Sequence, residues 1–218
     1  MGNLDLVDYS RQESLDQELS ELHKEGIQII VGCGGVGFWL GIQLALMGCK
    51  SFVLIDKDKI ENTNLNRLPV PQTWLGINKA IALRRIIRFM RPLTAIVCHT
   101  IAINEDNLEP VLESTHVNNK TLWDCTDDAR IQRAIYNFTK EATDYQYIKA
   151  GYEGFTVGNY TAMDVWIDEA TYAPGYRTTK ANAVTSALSA GLAVFKQGLG
   201  YQGDTNIDLK QLLRGQNG

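Results

Sequence analysis

The chain has 218 residues, 44% of them hydrophobic, which is enough to bury one full core and fits a single domain. Its 21 basic and 25 acidic residues leave a formal net charge of -4 at pH 7 without any polybasic run, which speaks against a nucleic-acid partner held through its phosphates. The longest apolar stretches are interrupted by glycines and too short to span a bilayer, and the N-terminus is acidic and polar, so a cytoplasmic protein with no membrane segment or signal peptide is expected.

In chain order, Leu15, Leu19 and Leu22 recur at helical spacing among polar residues, predicting an amphipathic N-terminal helix from about Tyr9 to Lys24. Gly26 opens the β-branched run Ile27 to Val31, a buried strand. After a glycine cluster, Val36 to Met47 reads as a helix stopping near Gly48, and Ser51 to Ile55 as a second buried strand, together a right-handed β-α-β unit. A helix is expected over Ile77 to Arg91, ending before Pro92. Strands at Thr94 to Ala102, Thr121 to Cys125 and Tyr147 to Ala150 then alternate with helices at Glu105 to Ser114 and Asp128 to Thr143. Gly154 to Trp166 suggests two strands around a Gly158-Asn159 turn, hence an antiparallel hairpin. A polar loop, Asp168 to Lys180, leads into an alanine-rich helix over Ala181 to Phe195, and the tail carries no clear periodicity. The fold class expected is α/β: a Rossmann-like, mostly parallel sheet with helices on both faces and antiparallel strands towards the C-terminus. One domain spans 1–218, with an N-terminal helix over 1–25, a nucleotide-binding core over 26–151, and antiparallel strands and a helix over 152–218.

Four constellations carry chemistry. Gly32, Gly34, Gly35 and Gly37 form G-x-G-x-x-G between a strand and a helix, where glycines permit a tight turn and let backbone N–H groups approach phosphate. Alone, this turn does not separate NAD, FAD and ATP. Asp56 ends the second strand about 20 residues later, where a carboxylate accepts hydrogen bonds from ribose hydroxyls. Asp58 beside it also reads as a solvated turn residue. Asn64, Arg67 and Lys79 follow in one ordered run. Each cation alone is an ordinary surface charge, but together after Asp56 they suit attack on the α-phosphate of ATP, where charge moves onto a pyrophosphate leaving group. Finally, Asp124-Cys125-Thr126-Asp127-Asp128 ends a later strand facing the same crevice: Asp127 is assigned to Mg²⁺, and Asp128 to the start of the following helix.

In order and spacing these motifs resemble the ThiF/MoeB family, prokaryotic relatives of ubiquitin-activating enzymes, from about Tyr9 through Gly151 and more loosely to Phe195. The resemblance implies phosphate binding at Gly32 to Gly37, ribose binding at Asp56 and Asp58, triphosphate contacts from Asn64, Arg67 and Lys79, and Mg²⁺ at Asp127. The Tyr9-Ser10-Arg11-Gln12 start is similar to the family's, whose arginine reaches ATP across a dimer interface, so Arg11 joins the catalytic set and a homodimer is expected. The implied activity is adenylation of the C-terminal carboxylate of a ubiquitin-like small protein or a peptide, with ATP and Mg²⁺ as cofactors.

Two departures from that pattern bear on the chemistry. The four cysteines, Cys33, Cys49, Cys98 and Cys125, include no Cys-x-x-Cys pair, so they read as reduced core thiols and no structural zinc is expected. The loop Asp168 to Lys180 offers Thr178, Thr179 and Lys180 but no cysteine, excluding a thioester there. A dinucleotide-dependent oxidoreductase would use the same glycines and Asp56 but leaves Arg67 and Lys79 without a role. A catalytically inactive adaptor of the same fold is the third reading, opposed by the intact Arg67, Lys79 and Asp127.

Overall fold

A computed structural model describes residues 7–13, 26–113, 119–160, 181–201 and 203–214. Most of the expected N-terminal helix and the whole Asp168 to Lys180 loop lie outside these residues. The described part of the former is one short helix, α1 (Ser10–Glu13).

The β-branched runs fold as expected into β1 (Ile27–Val31) and β2 (Ser51–Ile55), joined through α2 (Gly35–Leu46). Next come α3 (Lys79–Met90), β3 (Ala95–His99), α4 (Glu105–Glu113), β4 (Lys120–Asp124), α5 (Ala129–Glu141) and β5 (Tyr145–Glu153). The remainder is β6 (Thr156–Tyr160), α6 (Ala183–Gly198), β7 (Thr205–Asp208) and α7 (Leu209–Arg214). Among the described residues no helix is long and apolar enough to cross a membrane.

These strands form one seven-stranded sheet in the order β3-β2-β1-β4-β5-β6-β7. The first five are parallel, and β6 and β7 are antiparallel additions. The chain winds outward from β1 to β3 and then resumes at β4 on the other side of β1. That reversal opens a crevice beyond the carboxyl ends of β1 and β4, the point at which doubly wound sheets bind ligands. Both faces of the parallel part are covered, which is why its strands read as continuous apolar runs. On one face α2, α3 and α6 pack Phe38, Leu40, Leu83 and Val194 against Ile30, Phe52, Leu54 and Trp123. On the other, α4 and α5 pack Leu108, Leu112 and Ile135 against Ile29, Val31, Val53 and Leu122. Each fully buried side chain of this size stabilises the fold by about 1.5–3 kcal/mol. The one polar intruder in β1, Gln28, is satisfied by the Trp123 indole N–H at 2.8 Å.

Two expectations need correcting. The hairpin turn falls at Gly154-Phe155, where Gly154 has φ 59°, and not at Gly158-Asn159, which lie inside β6 opposite Gly151 and Ala150. Gly158 is a packing glycine: a β-carbon there would come within 2.5 Å of the Tyr160 ring. The tail is also more ordered than its lack of periodicity implies. Residues Thr205 to Asp208 pair with β6, and the Asp208 carboxylate then accepts from the Lys210 and Gln211 N–H groups to start α7.

Candidate active site

The crevice is a cleft of about 1190 Å³ lined by Gly32, Gly34, Gly35, Asp56, Asp58, Asn64, Arg67, Lys79 and Asp127, among others. Thus nine positions scattered over almost a hundred residues meet at one end of the sheet. Gly37 and Arg11 do not line it.

The turn after β1 explains its glycines individually. Gly32 has φ +89°, and a β-carbon on it would strike the carbonyl of Cys125, so the β1 and β4 ends close against each other only with glycine there. Gly34 begins α2 with open space around its β-carbon position, while a β-carbon on Gly35 would meet Ser186 Oγ and Arg67 Cδ. Gly37 serves the turn from inside the helix: its β-carbon position is occupied by the Gly32 carbonyl. No acidic residue occupies the first turn of α2, and its leading N–H groups have no intrahelical acceptors, which makes this end a seat for an anion.

Asp56 holds this turn to the next. One oxygen accepts from the Cys33 N–H and the other from the Asp58 N–H, both at 2.7 Å. Burial raises its pKa from the usual carboxylate value, opposed by the nearby Lys79 charge and by those backbone donors. Lys79, at the start of α3, approaches Asp58 at 3.3 Å, and Asn78 caps the same helix while donating to the Asp56 carbonyl at 2.8 Å. Asn64 is buried and accepts from the Glu61 N–H, closing the short 3-10 turn Asn62–Asn64 that precedes Arg67. The Arg67 backbone is held by the Trp39 indole, which donates to its carbonyl at 2.9 Å, and its Nη1 donates to Thr63 O and Asn66 Oδ1.

Beyond β4 three acids separate into three situations. Asp124 is fully buried, accepts from the Thr126 N–H and hydroxyl and from the Tyr147 hydroxyl, and lies 3.7 Å from Lys149 Nζ. Asp128 caps α5, accepting from the Arg130 N–H. Asp127, between them, is exposed to the cleft. Burial pushes the Cys125 thiol up to about 12 and raises Cys33 as well, which disfavours the thiolate a nucleophile needs, in line with their reading as packing residues.

Arg11 lies elsewhere. Its helix is tied to the far side of the fold, with Gln12 Nε2 donating to the Met47 carbonyl and Arg91 Nε to the Tyr9 hydroxyl. Met47 precedes β2, and the five residues of that strand put roughly 16 Å between this end and the cleft.

Sequence reasoning missed Tyr152, which lines the cleft, Ser186, which bonds to it, and Lys149, which bonds to the Thr126 carbonyl of the loop after β4. The Ser186 hydroxyl pairs with the Tyr152 hydroxyl at 3.0 Å and with the Asn182 carbonyl at 2.7 Å. No local signal marks them, since their relevance depends on where β5 and α6 pack.

Comparisons with known proteins bear on the family and the fold. A family model described as "ThiF family" matches residues 9–186. The chain is similar to adenylyltransferase and sulfurtransferase MOCS3 of Xenopus laevis, 27% identical over 133 residues, 59% of this chain and 28% of that protein. It is also similar to ubiquitin-like modifier-activating enzyme 5 of Drosophila ananassae, 32% identical over 114 residues, 49% of this chain and 29% of that protein. In these alignments the chain spans under a third of the length of either relative. Escherichia coli MccB, solved with AMPCPP and MccA, shares the fold with a TM-score of 0.74 at 18% identity, over 96% of this chain and 73% of that one.

Proposed function

Because this chain belongs to the ThiF family, we propose that it is an ATP-dependent adenylyltransferase that activates the C-terminal carboxylate of a small ubiquitin-like protein or a peptide. The observation that carries this reading is the meeting of Arg67, Lys79 and Asp127 with the glycine turn in one cleft. A carboxylate oxygen of the substrate attacks the α-phosphorus of ATP, the bond to the β-phosphate breaks, and an acyl adenylate and pyrophosphate result. The attacking group is already ionised, so no general base is required. The chain's work is alignment and charge neutralisation.

Asp56 takes the ribose hydroxyls, with Asp58 beside it. The N–H groups at the start of α2 and the side chains of Asn64, Arg67 and Lys79 hold the triphosphate, with Lys79 released from Asp58 or shared with it. Among the described residues no group of three or more His, Cys, Asp or Glu side chains could hold a metal ion. A single carboxylate completed by phosphate oxygens and water is how Mg²⁺ is commonly bound, so the donor set fits Asp127 with Mg²⁺. When bound, Mg²⁺ neutralises developing charge on the phosphates. The segment 168–180 contains no cysteine, so the acyl group passes to an acceptor other than a thiol of that segment. Arg11, remote from the cleft of its own chain, serves the cleft of a second copy in a two-fold homodimer. The similarity to MOCS3, to ubiquitin-like modifier-activating enzyme 5, and to MccB solved with MccA supports a protein or peptide carrying the carboxylate.

The test is exchange of labelled pyrophosphate into ATP in the presence of a panel of small proteins ending in glycine and of peptides with free C-termini. Exchange is expected with a free carboxylate and lost on C-terminal amidation. Thermal stabilisation by NAD but not by Mg²⁺ and ATP would overturn the reading.

A further inference from the structure

Lys149 is a buried cation that the reaction as described does not use. It stands on β5 directly across from Asp124 on β4, and its side chain is 7% exposed against 0% for Asp124. Taking an ammonium group out of water is costly unless charge and hydrogen bonds compensate it. Its surroundings show where the compensation lies. Nζ donates to the carbonyl of Thr126 at 2.5 Å and to that of Asp124 at 3.4 Å, and faces the Asp124 carboxylate at 3.7 Å. The Thr126 carbonyl also accepts from Gln132 Nε2 of α5 at 2.7 Å. This position, two residues before the α5 cap, is a poor one for a cation on helix grounds, because the amino end of a helix is already positive. The reason for a lysine here is therefore the loop itself.

The geometry points to Lys149 as the positioning residue for Asp127. Lys149 and Gln132 grip the Thr126 carbonyl from the sheet and from the helix, while Asp124 holds the Thr126 N–H and hydroxyl. The Thr126 peptide groups are fixed on both sides, and the next residue is Asp127. Asp127 and Asp128 both line the cleft, but Asp128 is committed to capping α5 and to Arg130, so the more exposed Asp127 is the acid offered to a cation, at a height and angle set by the clamped residue before it. Lys149 thereby sets the affinity of the nucleotide-loaded site for a divalent cation without touching nucleotide or cation. This inference rests on the adenylation reading for its cation but not for its loop.

Lys149→Met alone strands the Asp124 charge and is expected to fold poorly, so the informative variant is Lys149→Met with Asp124→Asn, which removes both charges, read against Asp124→Asn alone because Asp124 itself holds Thr126. Two measurements on the full chain decide the matter. In the protein without ligand, hydrogen exchange of the amides of 125–128 is expected to rise at least tenfold in the paired variant, with the middle of α5 unchanged. With ATP present, Mn²⁺ binding followed by its paramagnetic resonance is expected to weaken at least tenfold, while ATP affinity without divalent cation stays within about twofold. A folded paired variant with unchanged loop exchange overturns the inference, as does Mn²⁺ affinity within twofold of the parent. Failure of the parent protein to bind ATP would sink the adenylation reading instead, and the exchange measurement would still decide the role of Lys149 in the loop.

Discussion

Gly34 and Gly37 belong to the same turn, yet a methyl group added at each would meet different things. At Gly34 nothing lies within 4 Å and the backbone, φ -78° and ψ -154°, is open to any residue, whereas at Gly37 the position is filled by the Gly32 carbonyl. Gly34→Ala is therefore expected to leave stability within about 0.5 kcal/mol of the parent, the usual range for a change that disturbs no packing. On the proposed reading it is also expected to weaken ATP binding at least tenfold, because the added carbon would crowd the N–H groups proposed to hold phosphate. Gly37→Ala should cost about 1–3 kcal/mol or more through overpacking against backbone that cannot yield. Thermal unfolding with and without Mg²⁺ and ATP distinguishes the two. Equal destabilisation by both substitutions would show that the turn is one structural unit with no ligand. The consensus spacing shows all four glycines as equivalent; only the neighbours of each β-carbon position show that Gly34 and Gly35 border the cleft while Gly37 shapes it from behind.

Asp127 and Asp128 are adjacent, but one stands before a helix and the other begins it. Asp128→Ala removes an N-cap and should cost about 1 kcal/mol of stability with pyrophosphate exchange retained. Asp127→Ala should leave the melting temperature unchanged and lower exchange by about a hundred-fold to a thousand-fold, the range for loss of one preorganised electrostatic contact. Reversal of these two outcomes would exchange their roles. That Asp128 belongs to the helix was legible in the sequence, because an acid preceding an amphipathic run is a local signal. The hairpin after β5 was not. Gly158-Asn159 has turn chemistry, but the strand continues through it because the Tyr160 ring lies over Gly158, and the residues that pair with it, Asn206 and Thr205, come almost fifty positions later.

The order of the strands is what makes a site of these parts. β1 and β4 are neighbours in the sheet although α2, β2, α3, β3 and α4 intervene, so the glycine turn and the Cys125 to Asp128 run open into one cleft. The same architecture holds α1 at the opposite ends of the strands, which keeps Arg11 from its own cleft. Inactive Arg11→Ala and inactive Asp127→Ala protomers, mixed under conditions where subunits exchange, should therefore regain pyrophosphate exchange, because one of the two clefts of a mixed dimer inherits both residues. Sedimentation tests for the dimer, and mixing differently labelled protomers tests for subunit exchange. If subunits exchange and no activity returns, Arg11 acts within its own chain or not at all.

What the sequence by itself determined are the features whose physical cause is local. Apolar runs of five residues mark the buried strands, glycines mark the turn after β1, Asp128 marks a helix start, and the order Asp56, Asn64, Arg67, Lys79, Asp127 marks the family. What only the tertiary structure decided depends on atoms distant in sequence. Lys149 is one lysine in a strand until β4 brings Asp124 beside it, and Ser186 is one helix serine until α6 lays it against Gly35 and Tyr152. A buried charge or hydroxyl acquires meaning from the partner that compensates it, and that partner is chosen by packing, which no spacing along the chain records.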